Sequence, residues 1–427
     1  MKIFINKKVV TFGIISVFFI ILMISFSFPD LFAMLYVPSL LTKGNIYSIV
    51  RSSKNFCPWL DATWPPLYYL TMGTYINLVK ALGLIKNSLF VSNSCPVWEI
   101  ILNKNVLFWG KLPFLLLHFF SAYIFQKIFK KNNWKWFLLW LLNPVIIFVT
   151  FVEGQFDIIP TFFLMLSLYF TYLKKPNLVF LSLGIGAAFK FYPFLLVPVF
   201  ILYFSKDIKK QVIYFLLSVT PYLLTIIPFY NKDYISFLAF SENYKMLQQG
   251  LQIGPFKLSF YLVAYLSLLL IFFMDKKINF PKFVQYCFLF LSIYYVFTPG
   301  WFVQRALFIM PALLLFSAFN KKVARSLPFL YLSFFGYVLI FFPGLFDQSL
   351  LRPILSIKNF DYSVWPIEKL KIVIQGIMAG IYAYLIYLII TKWPEKEADI
   401  REKDIFLPFI CFLIYLGVML TLFYFSH

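Results

Sequence analysis

Acidic residues are scarce in this chain. Only 17 of its 427 residues are Asp or Glu, against 38 Lys or Arg, and charged residues of both signs make up 13% of the total. A soluble domain carries about 25% charged residues, so an ordinary water-soluble fold is excluded. Histidine and cysteine are also few, with two and four residues. His118 and His427 cannot complete a zinc set with Cys57, Cys95, Cys287 and Cys411, whose spacing matches no metal pattern. What fills the chain instead is apolar: 62% of residues are hydrophobic and 22% aromatic, with a mean hydropathy of +0.83. The apolar runs are continuous and about 16 to 20 residues long, unlike the alternating segments of about 10 residues that build a membrane barrel. The fold class this predicts is all-α, a polytopic membrane protein forming one integral-membrane domain.

The net charge of +21 does not imply a nucleic-acid partner, because Lys and Arg also set the orientation of membrane helices. Apolar spans are expected near 9–28, 111–129, 136–152, 158–173, 178–192, 194–205, 212–229, 258–274, 283–298, 303–319, 327–343, 371–390 and 405–425, about 13 in all. With the N-terminus inside, seven short segments that hold over half of the basic residues all fall on the cytoplasmic side. The first run follows Lys2, Lys7 and Lys8 but is long for a signal peptide and has no small-residue cleavage site, so it reads as an uncleaved span. Pro65–Leu84 is apolar enough to cross, yet a crossing there would invert every later loop. It is therefore placed outside, as juxtamembrane or re-entrant helix within a long first outer loop, 29–110. Further outer loops are expected at 230–257 and 344–370. Cys57 and Cys95 share the first of these loops, where an oxidising exterior permits a disulfide between them.

Charged and amide groups between apolar spans need a reason. Glu153, Gln155 and Asp157 form a polar knot between two spans, and Lys190 follows alone. Asp157 as N-cap of the next helix, with Pro160 in its first turn, is the simple reading; the other is that these groups line a site. Asp30, where the first span leaves the membrane, reads either as a cap or as a general base tuned by partial burial. Arg305 and Lys190 read as snorkelling cations, Tyr244 and Gln248 in the 230–257 loop as part of a lid or an interfacial helix equally, and Trp64 as an aromatic-belt anchor.

Several motifs occur in register: Asp30 at the end of the first span, Gly44-Asn45-Ile46-Tyr47, Thr63-Trp64-Pro65-Pro66-Leu67, Gly110-Lys111, Leu142-Asn143-Pro144, Gly154-Gln155-Phe156-Asp157, and Gly186 through Tyr192-Pro193. Over roughly residues 9–205, most family-like in 111–205, this order resembles the GT-C superfamily of membrane glycosyltransferases. It is most similar to the catalytic subunit of the first glycosylphosphatidylinositol mannosyltransferase and its prokaryotic relatives. Three positions depart from that pattern. Asp30 lacks an adjacent second acid, the next being Asp61; His118 stands where relatives often have Asp; and Gln155 replaces an Asn.

The resemblance implies transfer of a hexose, mannose first, from a polyprenyl-phosphate sugar to a glycan, lipid or protein acceptor on the outer face of the plasma membrane. It implies Asp30 as the catalytic base with Asp61 in reserve, and Arg305 and Lys190 at the donor phosphate. Glu153, Gln155, Asp157, Tyr192, Trp64, Tyr244 and Gln248 would line the site. The implied partners are membrane lipid, the lipid-linked donor and the acceptor, with no nucleic acid; a small partner subunit is left open. Nothing in the sequence requires a cofactor, and a divalent metal is left open. A transporter or flippase of lipid-linked glycans is the alternative, expected to show ionisable residues at mid-membrane and paired halves.

Overall fold

A computed structural model describes residues 7–53, 64–86, 97–129, 134–234, 247, 250–253, 256–297, 303–341 and, near the C-terminus, 409, 410, 412 and 413. These residues are almost wholly helical. Three of their helices, Lys104–Lys127, Ile208–Phe229 and Phe280–Phe297, are long and apolar enough to cross a membrane, and two bent helix pairs raise this to five. Five shorter apolar helices accompany them. The expected spans 371–390 and most of 405–425, and the expected outer loop 344–370, lie outside the described residues.

The chain opens with α1 (Lys7–Ser25) and α2 (Pro29–Ser39), which continues as a 3-10 turn, Leu40–Lys43. The axis bends by 87° between them. Pro29 cannot continue the first helix but is favoured in the first turn of the second. Among the described residues, α3 (Ile46–Ser53), α4 (Pro66–Ala81) and α5 (Val97–Ile101) follow. The next helix, α6 (Lys104–Lys127), starts seven residues before the expected span at 111, because Asn103 accepts hydrogen bonds from the amides of Asn105 and Val106 and caps it there.

The expected span 136–152 is broken in two. Helix α7 (Trp134–Leu141) ends at Leu142, and α8 (Pro144–Ile147) restarts at 46° to it and widens into a π-turn, Phe148–Val152. Asn143 accounts for the break. Its side-chain oxygen caps α8 through the amides of Val145 and Ile146, and its amide nitrogen donates to the Tyr331 hydroxyl at 2.8 Å. Helices α9 (Ile158–Tyr172), α10 (Pro176–Phe189), α11 (Val197–Phe204) and α12 (Ile208–Ile226) then build the centre of the bundle.

Glycine sets how closely these helices approach. Within α10, a methyl group added at Gly184 would run into the Ser218 carbonyl of α12, and one at Gly186 would press on Phe163 of α9. Two small residues thus seat α10 between both neighbours, as small residues do wherever apolar helices touch. Gly73 of α4 meets the Pro38 carbonyl of α2 in the same way.

After α12, in the loop expected to be either a lid or an interfacial helix, residues Gly250–Ile253 (β1) and Phe256–Ser259 (β2) pair as an antiparallel hairpin, Gly250 opposite Ser259. Ser259 then caps α13 (Phe260–Met274). Helices α14 (Phe280–Phe297), α15 (Ala306–Phe319) and α16 (Lys321–Phe341) complete the described fold. Two segments expected on one side of the membrane meet. Ser48 donates to Asp233 at 2.9 Å, Asn45 to the Phe229 carbonyl at 3.4 Å, and Tyr47 stands edge-on to Phe229 and Tyr234.

The core runs through α2, α6 to α10, α14 and α15, whereas α1, α12 and α13 keep large apolar side chains exposed, among them Ile14, Leu224 and Phe273. Such a face suits lipid rather than water. Gly184→Ala is expected to force α10 and α12 apart and to lower stability by about 1–3 kcal/mol, read as a fall in the thermal unfolding temperature of the purified protein in detergent.

Candidate functional site

The site begins where α1 breaks. Asp30 is the second residue of α2, where the helix dipole favours a carboxylate. It is exposed at the surface, with protein close by on its other sides. Gln155 reaches it from the far segment, its side-chain Nε2 donating to Asp30 Oδ2 at 3.3 Å and to Glu153 Oε1 at 3.5 Å.

The segment that carries Glu153 and Gln155 is shaped by its backbone. The Glu153 amide donates to the Phe148 carbonyl at 2.8 Å and the Gln155 amide to Val149 at 2.9 Å, closing the π-turn. Gly154 between them has φ +79°, a left-handed conformation that favours glycine. A side chain there would also press on Lys111, whose Cε would lie 2.9 Å from the added carbon.

Lys111 is the residue that sequence reasoning placed in a motif without giving it a function. It is fully buried, and its Nζ donates to the Phe26 carbonyl at 2.6 Å and the Phe151 carbonyl at 2.8 Å. One carbonyl lies just past α1 and the other near the end of the π-turn, where carbonyls lack helical partners. About two turns further along α6, His118 Nε2 stands 3.0 Å from the Leu141 carbonyl, at the break between α7 and α8. The available signal in the sequence was a lysine and a histidine seven apart inside an otherwise apolar helix.

Asp157 differs from expectation. It precedes α9, yet its side chain makes no capping hydrogen bond. Instead it pairs with Lys190, Nζ to Oδ1 at 2.7 Å. The backbone of Lys190 ends α10 in an extended conformation, which lets its side chain turn toward α9. Its Nζ lies 5.2 Å from the ring centres of both Phe156 and Phe308, so the cation sits against two aromatic faces. Phe308 in turn stacks on Tyr192 at 3.8 Å, and the Tyr192 hydroxyl is 2.9 Å from that of Thr161. Phe156 packs on Tyr68 at 4.2 Å and Trp64 at 5.6 Å. Arg305, buried just before α15, is near enough for its charge to act on Asp157.

The structure therefore brings together Asp30, Glu153, Gln155, Asp157 and Lys190, with Trp64, Tyr192 and Arg305 around them. Asp61, Tyr244, Gln248, Cys57 and Cys95 lie outside the described residues. Among the described residues no set of three or more His, Cys, Asp and Glu is arranged to hold a metal ion.

Burial pushes all three carboxyls above their ordinary range. For Asp30 the Gln155 hydrogen bond and then the Lys190 charge oppose that rise. For Asp157 the opposing influence is chiefly Lys190, with Arg305 behind it. Glu153 is raised furthest from help: burial is followed by repulsion from Asp30 and Asp157. The arrangement offers an accessible carboxylate and a cation whose charge reaches it, which together can accept a proton and steady a developing negative charge.

Lys111→Met, which keeps the bulk but not the donors, is expected to leave two buried carbonyls unsatisfied and to cost about 2 kcal/mol or more, seen as an earlier thermal unfolding transition in detergent. No family model matches the chain and no curated protein matches it, which leaves the geometry of this site to carry the functional reading.

Proposed function

We propose that this chain is a polytopic membrane glycosyltransferase of the GT-C kind, with about 13 spans, an inside N-terminus and an extracytoplasmic site. It moves a hexose, mannose first, from a polyprenyl-phosphate donor to a glycan, lipid or protein acceptor. The observation that supports this best is Asp30 at the head of α2, where the chain turns by 87°, held by Gln155 within reach of the Lys190 field.

In the reaction, Asp30 takes the proton of an acceptor hydroxyl as that oxygen attacks the anomeric carbon. The bond from the anomeric carbon to the phosphate oxygen breaks, and the lipid phosphate leaves with the electron pair. A single displacement of this kind inverts the anomeric centre. Lys190 meets the charge on the leaving phosphate. An ammonium has three donors, so its bond to Asp157 does not exhaust it. Arg305, whose charge reaches Asp157, completes the positive side of the site. Trp64, held where its carbonyl accepts from Tyr47 at 2.7 Å, offers an apolar face to a sugar ring. The donor has to be lipid-linked because nucleotide sugars stay in the cytoplasm, and the apolar bundle gives the lipid tail a place to lie.

Transfer of radiolabelled mannose from polyprenyl-phosphate mannose in membranes is expected to fall by about 100-fold or more in Asp30→Asn. Undiminished transfer in that variant removes Asp30 as the base, and a wild type that consumes no lipid-linked sugar leaves the flippase reading standing. The pH profile carries a second expectation. Asp30 must be ionised to act, and burial raises its pKa, so activity is lost as pH falls through a value above the ordinary aspartate range. Lys190 lowers that value, so Lys190→Met is expected to move the acidic limb to higher pH. For orientation, Lys86→Cys, just after α4, is expected to react with an impermeant thiol reagent only from outside the cell.

A further inference from the structure

One member of the cluster has no part in the transfer just described. Glu153 is only 3% exposed, and its Oε2 has no hydrogen-bond partner among the described residues. Its Oε1 shares one donor with Asp30, the Gln155 amide nitrogen. The charged groups that face it are Asp30 from the head of α2, Asp157 from its own segment and Lys190 from the end of α10. Lys111 of α6 lies against Gly154, next in sequence, and Arg305, ahead of α15, acts on Asp157. Lys190 is bonded to Asp157 and Lys111 to two carbonyls. Among the described residues Glu153 itself has no ion pair. A buried carboxylate with two like charges near it and no cation in contact is less favourable than the same group carrying a proton.

We propose that Glu153 is kept as a neutral carboxylic acid at working pH and is a positioning residue for Asp30, so that the pair holds one negative charge and Glu153 one proton. Uncharged, Glu153 leaves the Gln155 amide and the field of Lys190 to hold an ionised Asp30 in place. Ionised, it sets a second negative charge beside the base and against the incoming donor phosphate, and transfer stops. The site is thereby switched off as pH rises through the point where Glu153 gives up its proton to solvent. This rests on the reading of Asp30 as the base, but the protonation itself does not.

The test uses the full chain in phospholipid vesicles, with infrared difference spectra taken across pH for wild type and Glu153→Gln. A protonated-carboxyl band is expected at neutral pH in the wild type, lost in E153Q and retained in Asp157→Asn. A wild type without that band, or a band unchanged in E153Q, overturns the proposal. In transfer from polyprenyl-phosphate mannose, wild type is expected to decline at alkaline pH and E153Q to extend the active range upward by about one pH unit or more. A purely structural role for Glu153 would lower the rate at every pH alike, and that result also overturns it. Glu153→Asp guards against misfolding, since it is expected to restore both the band and the alkaline decline, and loss of both there counts against the proposal. A band that behaves as expected in a protein that transfers no sugar supports the protonation and refutes the transferase reading.

Discussion

The side-chain nitrogen of Lys111 holds the two acid-bearing segments in register. It donates at once to the Phe26 carbonyl, four residues before Asp30, and to the Phe151 carbonyl, two before Glu153. In an apolar environment carbonyls released by a helix break have no water to turn to. Three of the breaks among the described residues are tied to polar side chains. Lys111 serves the ends of α1 and of the π-turn, His118 lies by the end of α7, and Asn143 caps α8 while bonding Tyr331. Helix α6 acts as the strut that carries both Lys111 and His118.

Those breaks are what give the site its contents. A straight first helix would carry Asp30 onward along its axis; the 87° turn instead puts it at a helix head facing the Glu153–Asp157 segment. That segment keeps its shape through a left-handed Gly154 and through Phe156, which is fully buried among Tyr68, Trp64 and the cation of Lys190. The aromatic surround lowers the local dielectric response, which makes each charge there both more costly and more effective. Three carboxyls and one directly bonded cation in such a place cannot all be ionised cheaply, and the order in which they take protons becomes a property of the geometry.

Much of the fold was legible in the sequence because it follows from local rules. Continuous apolar runs mark helices, and the starts of α4, α8 and α10 coincide with Pro66, Pro144 and Pro176 at the first helical position. The polar knot at Glu153–Asp157 and the lone Lys190 stood out against apolar neighbours and do come together. Their partnerships were not legible. Asp157 read as a cap, since Asp before a helix usually is one, but a lysine 33 residues away has taken its oxygen. The hairpin at 250–259 sits in a segment whose aromatics and amides suit helix as well as strand, and pairing between its two arms, not propensity, decides it. Lys111 looked like the opening of a span, but Asn103, eight residues earlier, caps the helix.

By itself, then, the sequence determined the helical class of fold, several helix starts at proline and the small set of charged residues that had to have partners, since apolar periodicity, proline and buried charge are each constraints on a few neighbouring residues. Only the tertiary structure decided which of those residues meet. Asp30 and Gln155 are 125 positions apart, and their segments are held together by Lys111, which bonds the Phe26 and Phe151 carbonyls at once. No local rule encodes a distance of that kind; it is set by how the helices close around one another.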